Sequence, residues 1–328
     1  MQEKTLHYDW VDVAKGMGIV LVVLGHAIAD ILPNVYIFRK TFQIIYSFHM
    51  PLFFFLSGFC GIKALQKRQL HEKEAYILER FKRLLIPYFF VGICYIPIKL
   101  FMADYVTKKI DMQHIVMGFL CGDNPNSQLW TLYVLFFDAV FLCVMSNAGK
   151  FFTYISFLLS FIMAVLSMFI NNAFLRNFMF ETVFYISGAL FRERLPVISN
   201  KVHFDNHQSM IIIGGGILIA LNMYMNIDGK NIFKILTAIL GIIVVYGASH
   251  ILEMNKLLKE LGKYSMDIYI MANIFQVCVR VVLMNKLCVN SYLCFLISFV
   301  VGIIFPVVIS KNIVRKIPLT NKLVLGNF

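Results

Sequence analysis

Four polar side chains lie within one apolar stretch near the start of the chain. Residues 9–30, DWVDVAKGMGIVLVVLGHAIAD, are long and apolar enough for a membrane-spanning helix, yet they include Asp12, Lys15, His26 and Asp30. Lys15 and His26 are 11 positions apart, or about 1100° of helical rotation, so their side chains fall within about 20° of each other. The same spacing separates them by about 16 Å along the axis. The pattern predicts a cation near one membrane surface and a proton-accepting imidazole more than halfway across.

A second histidine lies in the next apolar stretch. His49 belongs to SFHMPLFFFLSGF, residues 47–59. The first span is expected to run outward and the second to return, so His26 and His49 are predicted to lie at a similar depth. Asp30 follows His26 by four residues and shares its helical face. Either histidine alone is explained by a hydrogen bond to a backbone carbonyl, but two at one depth beside a carboxylate indicate a functional cluster.

Two further pairs of residues each allow two interpretations. Arg80 and Arg83 belong to the basic segment 64–84, which is predicted to form an amphipathic helix leading into the third span. They either set membrane topology against anionic headgroups or clamp a phosphorylated ligand. Trp130 and Tyr133 either anchor a helix at the membrane interface or form a platform for stacking a sugar.

Polar residues in two later spans are also candidates. Glu181, near the outer end of the sixth predicted span, needs a partner such as Arg176. Ser265, Tyr269 and Asn273 lie at i, i+4 and i+8, so they form a polar ridge on one face of a helix. Such a ridge either bonds to a neighbouring helix or lines a cavity, and we favour the cavity.

The composition indicates which elements position these residues. The 328-residue chain is 59% hydrophobic and 15% charged, with a mean hydropathy of +0.76, which predicts an all-α, polytopic membrane protein. About ten spans are expected, at 13–32, 44–63, 85–103, 129–146, 151–170, 178–191, 209–226, 232–252, 264–284 and 291–311. No insertion has the size of a soluble domain, so residues 1–328 are predicted to form a single transmembrane domain.

The net charge of +12 follows the predicted topology. Of the 30 Lys and Arg residues, 19 fall on the side of the termini and seven in the opposite loops, with the others inside spans. The positive-inside rule therefore predicts that both termini are cytoplasmic. Because the positive charge is spread over these loops, nucleic-acid binding is not expected.

The seven cysteines show no zinc-type spacing, so no metal is expected. Cys121 and Cys288 are the two that fall in predicted outer loops, where a disulfide could form. The first span could also be read as a cleaved signal peptide ending near Ala29. Asp9 and Asp12 argue against that alternative, because the region before the apolar core of a signal peptide is basic.

Three motifs in order resemble acyltransferase family 3, the integral-membrane acyltransferases that O-acetylate bacterial glycans, and the fucose 4-O-acetylase-like branch in particular. They are the DVAKG motif at 12–16 with His26 following Lys15 after ten residues, HMPLFFFLSGF at 49–59, and RFKRLLIPY at 80–88. The resemblance extends through Trp130, residues 184–188 and residues 262–269. It implies a multi-pass enzyme of the bacterial cytoplasmic membrane.

The resemblance further implies acetyl transfer from cytosolic acetyl-CoA to a hydroxyl of a glycan. Arg80, Arg83 and Lys15 would hold the phosphates of CoA. His26 would act as the general base, with Asp30 fixing its tautomer.

Either His49 or Ser57 would stabilise the developing oxyanion. The acceptor would be bound by residues from several spans, namely Trp130, Tyr133, Glu181, Ser265 and Tyr269.

One position departs from the family. Many members have a histidine three residues after the tyrosine that matches Tyr269, whereas this chain has Ala272. The alternative function is a transporter or flippase for a lipid-linked glycan, with the intramembrane His and Asp residues as a proton relay. The absence of a sequence repeat relating two halves argues against it.

Overall fold

The computed structural model describes residues 8–66, 72–101, 115–146, 152–199, 204–224 and 232–328, and all regular structure in these ranges is helical. The helices are α1 (Asp9–Ile31), α2 (Tyr36–Gln66), α3 (Lys73–Arg80), α4 (Ile86–Phe101), α5 (Ile115–Leu120), α6 (Trp130–Met145), α7 (Phe152–Leu166), α8 (Ala173–Ser199), α9 (Phe204–Tyr224), α10 (Ile232–Ile251), α11 (Lys256–Lys263), α12 (Ser265–Val279), α13 (Ser291–Ile309) and α14 (Pro318–Leu325). Short π-helical segments follow α3, α12 and α13, at Phe81–Leu85, Arg280–Lys286 and Ser310–Val314.

Seven helical stretches in the described ranges are long and apolar enough to cross a membrane. They are Asp9–Ile31, Tyr36–Gln66, Lys73–Phe101, Ser127–Met145, Phe233–Ile251, Ser265–Met284 and Ser291–Val314. The prediction of a helical, multi-pass membrane protein is therefore confirmed.

The other three predicted spans also fall on helices. Two lie on the shorter apolar stretches Tyr154–Phe169 and His207–Met223. The third, 178–191, lies on α8, which carries five charged residues. The total of ten spans and the cytoplasmic position of both termini stay predictions.

Some predictions fall on residues outside the described ranges. The predicted amphipathic helix 64–84 includes 67–71, and the described part of that segment contains the end of α2, then α3 and a π-helical segment. Eight of the cations used to predict the orientation also lie outside, namely Lys4, Lys67, Arg68, Lys108, Lys109, Lys150, Lys201 and Lys230.

Packing divides the chain into two compact units, each built from separate stretches of sequence. The first comprises Met1–Phe53 and Val197–Val308, and α1 lies at its centre, against α10, α11 and α12. The middle of α1 packs through Ile19, Val22 and Val23 against Ile268 and Ala272 of α12. Towards its C-terminal end, the apolar face of α1 packs against α2 and α13.

The second unit comprises Phe54–Pro196 and Ile309–Phe328. In it α3 and α6 pack together and α14 packs on α4. Many large apolar side chains of α7 are exposed, including Ile155, Leu158 and Ile162. An exposed apolar face of this kind suits a helix surrounded by lipid.

Candidate active site

The N-terminal half of α1 is held by close backbone contact with α11. A Cβ at Gly16 would lie 2.1 Å from the Leu258 carbonyl oxygen, and one at Gly262 would lie 1.9 Å from the Asp12 carbonyl oxygen. Glycine at both positions therefore lets the two helices approach more closely than any side chain allows. Lys259 of α11 also pairs with Asp9. These contacts fix the end of α1 that carries Lys15.

Lys15 has only a loose partner in its own helix. Its Nζ lies 3.9 Å from Asp12 Oδ1, and its side chain is 32% exposed. An ion pair of this length and exposure is weak. The Lys15 ammonium is therefore accessible to an anionic ligand.

The two predicted histidines both contact Tyr46, a residue that the sequence analysis did not single out. The Tyr46 hydroxyl oxygen is 3.3 Å from His26 Nδ1, and the two rings meet edge to face with centroids 5.9 Å apart. The His49 ring centroid is 4.5 Å from that of Tyr46. The prediction that His26 and His49 lie at a similar depth agrees with this arrangement, because both rings contact the same side chain.

Gly25 explains how Tyr46 comes so close to α1. A Cβ at Gly25 would lie 2.8 Å from Tyr46 Cε2, so a larger residue there would push the ring away from His26. On α12, Gln276 Nε2 donates a hydrogen bond to the Val23 carbonyl oxygen at 2.9 Å. The backbone that carries His26 is thus held from two sides.

The nitrogens of the two imidazoles differ in availability. His49 Nδ1 donates to the Ile45 carbonyl oxygen at 2.8 Å, and the side chain is 3% exposed. A neutral His49 therefore keeps its proton on Nδ1 and presents Nε2 as an acceptor. His26 is half-buried, and its Nδ1 faces the Tyr46 hydroxyl.

Asp30 has a different partner from the one expected. Its Oδ1 lies 3.3 Å from Arg280 Nη1, at the start of the π-helical segment after α12. The hydrogen-bonding partner of His26 is Tyr46. Helical periodicity placed Asp30 on the face of His26, but the carboxylate turns to the guanidinium because a charged donor binds it more strongly than a neutral ring does.

Two more polar residues are electrostatic neighbours of this cluster. Lys234 of α10 interacts electrostatically with His49, and Tyr269 of α12 interacts electrostatically with Tyr46. Ser265, one helical turn before Tyr269, is half-buried at the start of α12. Lys234 could have been found from sequence as a cation inside a predicted span.

Ala272, the position at which the chain departs from its relatives, lies in the apolar core against α1. It is 4% exposed and packs with Ile19, Val22 and Val23. A histidine there would bring a polar ring into this cluster.

In the second unit, the two predicted clamp arginines have different surroundings. The Arg80 guanidinium lies 5.0 Å from the centre of the Tyr76 ring and is half-buried. Arg83 Nη1 donates to the Leu325 carbonyl oxygen at 2.6 Å and to the Asn327 side chain. Arg83 thus contributes to holding the C-terminal segment.

The other three predicted substrate residues also lie in this unit. Trp130 is half-buried and stacks near Phe54, with centroids 6.1 Å apart. Tyr133 is 8% exposed, and its hydroxyl donates to the Leu120 carbonyl oxygen at 2.7 Å. Glu181 is 3% exposed and is an electrostatic neighbour of Asp138, a buried carboxylate of α6 that the sequence analysis missed.

Within the described residues, no three His, Cys, Asp or Glu side chains come together as a metal site requires. The same residues include Cys121 and Cys288 as free thiols.

Comparison with known proteins identifies the family. The chain matches the family model described as an acyltransferase domain over residues 8–311. Neither the curated proteins nor the solved structures gave a match. Because the match covers most of the chain, from α1 to the end of α13, this multi-pass membrane protein belongs to acyltransferase family 3.

Proposed function

We propose that the protein is an O-acetyltransferase that moves an acetyl group from cytosolic acetyl-CoA to a hydroxyl of a cell-surface or lipid-linked glycan. The observation that carries the proposal is the cluster of His26, Tyr46 and His49 inside the first two spans. Polar side chains are energetically costly inside a membrane, so their presence there indicates a functional site. The family match supplies the acyl-transfer chemistry.

His26 is the proposed general base. The acceptor hydroxyl oxygen attacks the thioester carbonyl carbon while a ring nitrogen of His26 takes the hydroxyl proton. The carbon–sulfur bond then breaks, and the proton passes from His26 to the departing CoA thiolate. Base catalysis of this kind contributes about 10²- to 10⁴-fold in rate.

Asp30 and His49 support this step in the proposal. Asp30 holds Arg280 and so neutralises a cation close to the cluster. His49 contacts the Tyr46 ring and helps to hold it beside His26.

The donor phosphates are assigned to Arg80, Arg83 and Lys15, because charge-assisted bonds to guanidinium and ammonium groups bind phosphate well. Arg80 and Lys15 are the stronger candidates, since Arg83 already bonds to the C-terminal segment. The acceptor residues of the proposal are Ser265 and Tyr269 of α12, with Trp130, Tyr133 and Glu181. Among these Tyr269 has the most support, as an electrostatic neighbour of Tyr46.

The test is transfer of label from [¹⁴C]acetyl-CoA to membrane glycan by the purified protein in lipid nanodiscs. We expect base-labile O-acetyl product with the wild type and a rate at least about 100-fold lower with His26→Ala or His26→Gln. The thermal unfolding midpoint of each variant is measured as a control for folding. Unchanged transfer by a well-folded His26 variant would exclude the general-base role, and no transfer by the wild type would favour the transporter alternative.

A further inference from the structure

A cavity opens where α1 ends and α2 begins, at the opposite end of α1 from Lys15. Its volume is about 500 Å³, which is in the range of small-molecule sites. The lining residues come from the end of α1, the connection and the first turns of α2, and include Ala29, Pro33, Arg39, Lys40, Phe42 and Gln43.

The charge of this cavity is positive. Arg39 is exposed, and Lys40 Nζ donates one hydrogen bond, to the Asn222 carbonyl oxygen at 3.3 Å, which leaves two ammonium hydrogens for a ligand. No acidic residue occurs in the sequence between Asp30 and Glu72. Asp30 itself is paired with Arg280. Among the described residues that line the cavity, Arg39 and Lys40 are charged and none is acidic.

The helix itself adds to this potential. Arg39 and Lys40 lie near the start of α2, where the helix dipole is positive, and the first turn of α2 contains no acidic residue. Cations are unfavourable at a helix N-terminus, so the placement of Arg39 and Lys40 here destabilises the helix on its own. A bound anion would offset that cost.

The cavity is close to the proposed general base. The Phe42 ring, which lines it, lies against Tyr46 with centroids 3.9 Å apart, and Tyr46 is 3.3 Å from His26. Ala29, on the other wall, follows His26 by three residues, which is about 4.5 Å along the helix axis. One side chain, Tyr46, therefore connects the wall of the cavity to His26.

We infer that this cavity binds the acceptor glycan through an anionic group, a carboxylate or a phosphate, with Arg39 and Lys40 as its ligands. The inference rests on the proposed function, because it assigns the cavity to the acceptor of that reaction. It narrows the substrate class from glycans in general to acidic or phosphorylated ones.

Binding is measured without the donor, so that the result does not depend on turnover. The full-length protein is placed in phosphatidylcholine nanodiscs, and methyl glucuronide, glucose 6-phosphate and methyl glucoside are compared by saturation-transfer NMR. We expect the two anionic sugars to bind and the neutral one to bind at least about tenfold more weakly, because each ionic hydrogen bond is worth more than 1 kcal/mol. Arg39→Gln with Lys40→Gln should remove this preference.

The matched control is Lys256→Gln, which removes an exposed cation on α11 at the other end of α1. It should leave the preference unchanged. Equal binding of the charged and neutral sugars, or a preference that survives loss of both Arg39 and Lys40, would overturn the inference.

Two outcomes separate the inference from its alternatives. If phosphatidylglycerol added to the nanodiscs is retained through Arg39 and Lys40 while no sugar binds, the cavity is a lipid headgroup site and the inference is wrong. Anionic-sugar binding without any acetyl transfer by the wild type would support the cavity assignment but contradict the proposed reaction. Acetyl transfer with no charge preference would support the reaction and contradict the cavity assignment.

Discussion

The chemistry of this protein depends on a few side chains in contact across α1 and α2. His26 is half-buried, whereas His49 is buried and bonded to the backbone through Nδ1. Tyr46 contacts both rings. This arrangement gives the two histidines different tasks, with His26 suited to proton transfer and His49 suited to holding Tyr46.

Tyr46→Phe tests whether the hydroxyl positions His26. The phenylalanine ring keeps the contacts with the His26 and His49 rings, while the hydrogen bond to His26 is lost. Such a bond contributes about 0.5–1.5 kcal/mol, so we expect kcat to fall about two- to tenfold with KM nearly unchanged. The pH profile of kcat should also shift, because the tyrosine hydroxyl interacts with the titrating ring.

Tyr292→Phe is the matched control, since Tyr292 lies on α13 and is 53% exposed. It should leave both kcat and the pH profile as in the wild type. If Tyr46→Phe behaves in the same way as this control, Tyr46 has no positioning role.

The two clamp arginines should respond differently to substitution. Arg80→Ala is expected to raise KM for acetyl-CoA about tenfold or more, because a charge-assisted bond is worth about 1.5–3 kcal/mol. It should also lower the unfolding midpoint slightly, because the contact with the buried Tyr76 ring is lost. Arg83→Ala is expected to lower the unfolding midpoint and to expose the C-terminal segment to carboxypeptidase, because the bonds to Leu325 and Asn327 are lost.

Lys82→Ala removes the neighbouring cation, which lies 5.3 Å from the centre of the Phe328 ring, and is the control for charge at this segment. If Lys82→Ala lowered the affinity for acetyl-CoA as much as Arg80→Ala did, the result would indicate a general effect of charge. Arg80 would then not be a specific phosphate ligand.

Among the helices, α1 and α11 are in close backbone contact at the N-terminal half of α1. Gly16 and Gly262 bring the two backbones together where Lys15 and Asp12 lie. The sequence predicted the helix that carries Lys15 but not the second helix against it. Eight-residue α11 is too short to stand out from the polar segment that surrounds it.

Gly16→Ala and Gly262→Ala should both destabilise the protein. Each new methyl group would meet a backbone carbonyl that cannot move without shifting a helix, which costs about 1–3 kcal/mol or more. Thermal unfolding in detergent measures the change. The affinity for acetyl-CoA should fall in parallel, because displacing this end of α1 also moves Lys15.

Gly215→Ala provides the control within a helix. A Cβ at Gly215 meets nothing within 4 Å, so alanine there should be neutral or stabilise α9 by about 0.5–1 kcal/mol. Equal destabilisation in all three variants would show that close approach of α11 to α1 is not the reason for the glycines.

At the scale of the whole molecule, the orientation in the membrane sets which substrate reaches which end of α1. The predicted orientation places Lys15 towards the cytoplasm and the cavity beside Arg39 towards the outside. The family match and the spanning helices are compatible with either orientation of the protein in the membrane.

Single cysteines in a variant lacking the seven native ones test the orientation. A membrane-impermeant maleimide added to intact cells should label Asn34→Cys, in the connection between α1 and α2, and should label Lys256→Cys only after the membrane is broken. The opposite pattern would reverse the orientation and place the donor and acceptor ends of α1 on the other sides.

The sequence by itself determined the helical, membrane-spanning architecture, the family and the two histidines. These follow from long apolar runs and from short motifs, which are local properties of the chain. Rotation along one helix also predicts that Lys15 and His26 share a face of α1.

Tertiary structure decided which partner each side chain meets. Asp30 pairs with Arg280, 250 positions later, and Arg83 bonds to Leu325. Helical periodicity specifies a direction for a side chain but not which helix stands there, and several cations compete for each carboxylate. The packing of the helices decides which partner each side chain reaches. It also explains why Tyr46, which belongs to no sequence motif, contacts both histidines.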